Sequence, residues 1–176
     1  GNFNAINLIS AISDWRYVRR LLNPVFYFYA FNFEFAYWLI DIVLKISAYI
    51  SFYILAKKIS KNYFLSAMLA CLFASTTDQV QLGFGMAISP YLIYLIISKD
   101  QIKLKHYLII AFFGLNSDLM TTVWLMPYIC LASYFINNKI IENKKINTIK
   151  VLSAFNIFLF LSSAHLIFMS LFGETI

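Results

Sequence analysis

Asp78 and Asp118 are the residues of this chain whose type and setting best suit chemistry. Each interrupts an apolar run beside hydroxyl or amide side chains, as Ser75-Thr76-Thr77-Asp78-Gln79 in one case and Asn116-Ser117-Asp118 in the other. An ionised carboxylate near apolar membrane depth is costly, so residues of this kind are expected to have partners. They are candidate catalytic groups, able to act as general base, to bind sugar hydroxyls, or to coordinate a divalent cation through oxygen. The structural alternative is a solvated turn in which aspartate caps a helix.

Arg16, Arg19 and Arg20 lie in the opening segment, interleaved with Trp15 and Tyr17. Guanidinium groups pair bidentately with phosphate, which makes these arginines candidate substrate-binding residues, together with the carboxylates Glu34 and Glu174. The competing reading is an interfacial helix whose arginines reach lipid headgroups while the aromatic rings lie at headgroup level. Asp41 and Lys45 are four residues apart, on one helix face, and read as an ion pair that lowers the cost of burial. His165, near Ser162 and Ser163, suits a proton shuttle or, more plainly, a hydrogen bond to a neighbouring helix.

Other chemistries lack their signatures. The chain has no nucleotide fingerprint, no metal-spaced His or Cys cluster and no Gly-x-Ser-x-Gly elbow. Gly83-Phe84-Gly85 suits close helix packing or a flexible lead into a helix better than a phosphate loop. Cys71 and Cys130 stand inside apolar runs, where a small polarizable side chain packs well, and no disulfide is expected.

The elements that must position these residues follow from composition. Of 176 residues, 61% are hydrophobic and 12% charged, against roughly 25% charged in soluble domains. Such a chain cannot cover a water-soluble globule, so a polytopic, all-α transmembrane bundle in contact with the lipid bilayer is expected. The net charge of +6 does not indicate nucleic acid, because the lysines fall in short clusters between apolar runs rather than on one basic face.

Apolar runs predict span A over 35–56, then a hairpin of spans B, 63–74, and C, 82–98, with Asp78 near its tip. Residues 107–136 are again apolar but break at Asn116-Ser117-Asp118, leaving a short helix D1 and a full-length D2; span E covers 151–172. Lysines 57, 58 and 61, then 99, 103 and 105, then 139, 144, 145 and 150 follow spans A, C and D2. The positive-inside rule assigns these loops to the cytoplasm, which requires an even number of passes between 107 and 136. D1 and D2 should therefore form a second hairpin; the alternative is one long tilted helix with a buried Asp118, which would put the lysines at 139–150 outside. D1 is short for a crossing unless the membrane thins, the helix takes in Lys105 and His106, or its tip lies at protein-lined depth.

This orientation leaves Asp14, Glu34, Asp78, Asp118 and Glu174 outside, with Asp100 and Glu142 inside. Residues 1–34 become an extracytoplasmic or interfacial lead-in, and residues 35–176 supply about six membrane helices of one transmembrane domain. The chain reads as a fragment of a longer bacterial plasma-membrane protein. Pro90-Tyr91-Leu92 and Pro127-Tyr128-Ile129 occupy similar places in C and D2, which suggests a weak internal repeat or the general tolerance of proline in membrane helices.

An outer lead-in with Asn23-Pro24, Asn32-Phe33-Glu34-Phe35-Ala36-Tyr37 opening a span, short hairpins, and Gly83-Phe84-Gly85 before a proline-bearing helix resemble bacterial multi-spanning proteins of the YfhO and YkoS type. The resemblance implies a glycosyltransferase of the C superfamily (GT-C), transferring sugar from a polyprenyl-phosphate donor to a cell-envelope glycan at the outer face. In that superfamily the catalytic carboxylate usually occupies the first outer loop, which would precede Gly1, so no residue here is carried over as the base. The alternative, from another class, is a transporter or lipid-linked sugar flippase with re-entrant hairpins.

Overall fold

The structure, a computed structural model, describes residues 33–76, 83–98, 102–117 and 145–164, with positions 128, 129, 132, 133 and 135. These residues are all-helical in five principal helices: α1, Phe33–Ser60; α2, Tyr63–Thr76; α3, Gly83–Ile97; α4, Leu104–Leu115; and α5, Lys145–Ser162.

Helix α1 corresponds to span A. Its 28 residues extend about 42 Å at 1.5 Å per residue, and the stretch Phe35–Ser60 is long and apolar enough to cross a membrane. The other helices are apolar but shorter, at 14, 15, 12 and 18 residues. Their lengths, about 18 to 27 Å, fall below a hydrocarbon core of roughly 30 Å. The described residues thus contain one helix of spanning length and four short ones, where the apolar runs predicted a bundle of spans. Most of D2 and the end of span E lie outside the described residues.

Two helices begin earlier than the apolar runs. α4 starts at Leu104 and takes in Lys105 and His106, while α5 starts at Lys145 rather than at Val151. Lysine is a good helix former, and its long stem lets the ammonium reach polar surroundings from an otherwise apolar helix. α4 stops where the sequence breaks: Asn116 closes it, and the Asn116 amide and Ser117 hydroxyl donate back to the Phe112 and Phe113 carbonyl oxygens.

A two-residue turn joins α1 to α2. Lys61 adopts φ 56°, and its N–H donates to the Lys57 carbonyl at 3.1 Å. The side-chain oxygen of Asn62 then accepts the Leu65 N–H at 3.1 Å, which caps the start of α2. The two helices must therefore run antiparallel, and Phe52 stacks on Phe73 between them.

Ala36, Ile40, Leu44 and Ala48 form a buried stripe at four-residue spacing on α1. There they meet Phe84 and Ala87 of α3, and the Ser51 hydroxyl donates to the Ala87 carbonyl. The adjoining face of α3 carries Ile88, Leu92 and Ile96 into a second core with Ile110 of α4 and Val151, Phe155 and Leu159 of α5. α3 is the shared wall of both cores, and Gly85 is buried within it.

On α2 and at the start of α1, many large apolar side chains lie outward while small residues lie inward. Trp38 is 68% exposed and Phe64 75%, whereas Ser66 and Ala70 are the buried residues of α2. Cys71 is exposed and unpaired, so it does not fill the packing role expected of it. Only 33% of the apolar window of α1 is buried, unlike the core helix of a water-soluble protein.

Candidate functional site

Contacts between helices fix which ends lie together. Tyr91 and His106 are hydrogen-bonded while Phe84 packs edge-on against Phe113, so α3 and α4 are antiparallel. Gly114 lies against Phe158, and the Ser162 hydroxyl donates to the Ser117 carbonyl at 3.0 Å, so α4 and α5 run the same way. α1 and α3 also run the same way, since Ser51 meets Ala87 and Ile54 faces the same cavity as Tyr91. One end of the bundle therefore gathers Lys57, Lys58, Lys61, Lys103, Lys105 and Lys150. The other end gathers the start of α1, the end of α2, the start of α3 and the ends of α4 and α5.

The candidate catalytic residues Asp78 and Asp118 lie outside the described residues, as do Arg16, Arg19, Arg20, Glu174 and His165. Their described flanks are informative. Thr76 and Gly83 border the segment carrying Asp78, and Ser117 precedes Asp118; all three belong to the lysine-free end. Phe84, beside Gly83, stands 6.1 Å from Phe112 and 5.6 Å from Phe113, ring centre to ring centre. Glu34 is the second residue of α1, again at this end.

The polar groups closing α4 and α5 at that end are buried, whereas Ser75 and Thr76 at the end of α2 are exposed. Asn116, Ser117, Ser162 and Ser163 are at most 7% exposed. The Ser162 hydroxyl also lies 2.8 Å from the Leu159 carbonyl of its own helix. Hydroxyls that return to helix carbonyls are tolerated in apolar surroundings, because no donor is left unmet. The Ser117–Ser162 contact joins the two segments that continue toward Asp118 and His165, a pairing the sequence did not reveal.

Asp41 and Lys45 form the expected ion pair, Nζ to Oδ2 3.0 Å. Both are partly exposed, in keeping with a role in offsetting two charges on an apolar helix. Among the described residues no three His, Cys, Asp or Glu side chains gather into a metal site.

Sequence reasoning missed a cleft between α1 and α4, floored by α3. Its volume is about 300 Å³, and its lining includes Ser47, Ile54, Ile88, Tyr91, Ile109 and Phe113. The Tyr91 hydroxyl meets His106 Nδ1 at 2.8 Å beside it. Tyrosine and histidine facing each other from two apolar helices were the available signal, but their 15-residue separation gives it no periodicity.

No family model, curated protein or solved structure matches this chain.

Proposed function

We propose that this chain belongs to a membrane-embedded glycosyltransferase of the C type, moving sugar from a polyprenyl-phosphate donor to a cell-envelope glycan at the outer face. The observation that carries the reading is the common end: Thr76, Gly83 and Ser117, the described flanks of Asp78 and Asp118, all lie at the end away from the lysines. Under the positive-inside rule that end faces outward. The outward-lying large apolar side chains support a lipid environment for the helices.

In this reading one aspartate accepts the proton of the acceptor hydroxyl. The oxygen attacks the anomeric carbon as the bond to the polyprenyl phosphate breaks, and configuration inverts. The second carboxylate holds sugar hydroxyls or a divalent cation beside the leaving phosphate. Arg16, Arg19 and Arg20 would clamp that phosphate, with Glu34 and Glu174 as further contacts to substrate. Sugar transfer from a lipid-linked donor by the protein in reconstituted vesicles tests the reading. Loss of transfer in Asp78→Asn and Asp118→Asn supports it, and full transfer in both removes these residues from the site.

The shortness of α2 and α3, both packed on α1, favours a second reading, a transporter or lipid-linked sugar flippase with re-entrant hairpins. Movement of lipid-linked sugar across sealed vesicles, with no product glycan formed, would select it.

A further inference from the structure

The cleft between α1 and α4 has an axis and two chemically different ends. Ser47 and Ile54 line it from α1, a rise of about 10 Å over seven residues. Its walls are otherwise aliphatic or aromatic, and the Ser51 hydroxyl is already bonded to the Ala48 and Ala87 carbonyls. α1 and α4 each pack on α3 and hardly touch each other, which leaves the cleft partly open along its side.

Beyond its lysine-side rim the character changes within one helical turn. Lys58 follows Ile54 by four residues on α1, and Lys105 precedes Ile109 by four on α4, so each lies on the same helix face as a lining residue. Both lysines are exposed, and neither meets a carboxylate among the described residues. The Tyr91–His106 hydrogen bond adds polar atoms at the same rim.

We propose that this cleft is a lipid site: one acyl chain of an anionic phospholipid lies along α3, and its headgroup phosphate is held by Lys58 and Lys105. An apolar slot alone would take any chain; two ammonium groups one turn above it, with no carboxylate partner among the described residues, select a negative headgroup in the leaflet at the lysine end. The site rests on the bundle lying in a bilayer and not on the glycosyltransferase reading, whose chemistry belongs to the opposite end.

The test is lipid retention by the full-length protein, purified from vesicles containing equal phosphatidylglycerol and phosphatidylcholine and examined by native mass spectrometry. The unaltered protein should keep phosphatidylglycerol in preference to phosphatidylcholine. The K58Q/K105Q variant should lose that preference by roughly tenfold or more. I109W, which places a bulky ring on the cleft wall, should lower retention of both lipids, while K150Q, on α5, should behave as the unaltered protein. Equal retention of the two lipids, an unchanged preference in K58Q/K105Q, or an equal loss in K150Q would each overturn the site. Helix content and elution volume exclude misfolding as the cause, and none of these readings depends on sugar transfer.

Discussion

The Ser162 hydroxyl, at the end of α5, donates to the carbonyl oxygen of Ser117 just beyond the end of α4, at 3.0 Å. Together with Gly114 against Phe158, this contact sets α4 and α5 side by side in the same direction. α4 therefore ends, and α5 begins, at opposite ends of the bundle. A chain turning back at Asn116-Ser117-Asp118 needs that separation.

Ser162→Ala removes a buried interhelical donor and leaves the Ser117 carbonyl with one partner fewer. The expected cost is about 1 kcal/mol. Unfolding midpoints in detergent micelles should fall accordingly, and an unchanged midpoint would mean that this hydroxyl contributes nothing to the α4–α5 contact.

Gly114 should be the least tolerant position of α4. A Cβ there would stand 2.7 Å from the Phe158 Cβ and 3.4 Å from the Phe155 carbonyl oxygen, so neither obstacle is a flexible side-chain tip. Gly114→Ala forces the helices apart and Gly114→Leu more so, at about 1 to 3 kcal/mol for overpacking. The same unfolding assay should rank the glycine above alanine and alanine above leucine.

Lys61 occupies left-handed backbone at φ 56° in the α1–α2 turn, a conformation that strains any side chain. Lys61→Gly relieves it at the expense of a freer unfolded chain, for a net gain of up to about 1 kcal/mol. A lower midpoint for this variant would contradict the turn geometry.

Asp78→Asn and Asp118→Asn keep size and lose the proton-accepting charge. If one is the general base, its variant should lose sugar transfer by about 10² to 10⁴-fold. The other should show a weakened response to donor concentration or to added divalent cation. Initial rates in vesicles, taken across donor and metal concentrations, separate the two roles.

Much of the helical layout was legible in the sequence, because apolar runs and their polar breaks are local. The Lys61-Asn62 turn and the stop at Asn116 fall where the hydropathy changes. The start of α4 at Leu104 matches one option read from the sequence, a helix that takes in Lys105 and His106. The start of α5 at Lys145 was not legible, since the lysines before Val151 were read as loop although lysine is compatible with helix. Which helices touch was also hidden. The approach of Gly114 to Phe158 and the wall shared by α3 depend on side-chain shape across more than 40 residues, and apolar sequence all round a helix does not mark its packed face. The outward position of Cys71 is an instance. For the site, the residue types at the two polar breaks were readable, while the Ser117–Ser162 contact and the cleft beside Tyr91 required the fold.

Sidedness is the claim on which the functional reading stands, and cysteine accessibility measures it directly. In a background with Cys71 and Cys130 replaced, single cysteines at Thr76, Asp118, Lys58 and Lys103 would be exposed to a membrane-impermeant maleimide in intact bacterial cells. Labelling is expected at Thr76 and Asp118 in intact cells, and at Lys58 and Lys103 only after the membrane is opened. Labelling of Thr76 or Asp118 from the same side as Lys103 would contradict it.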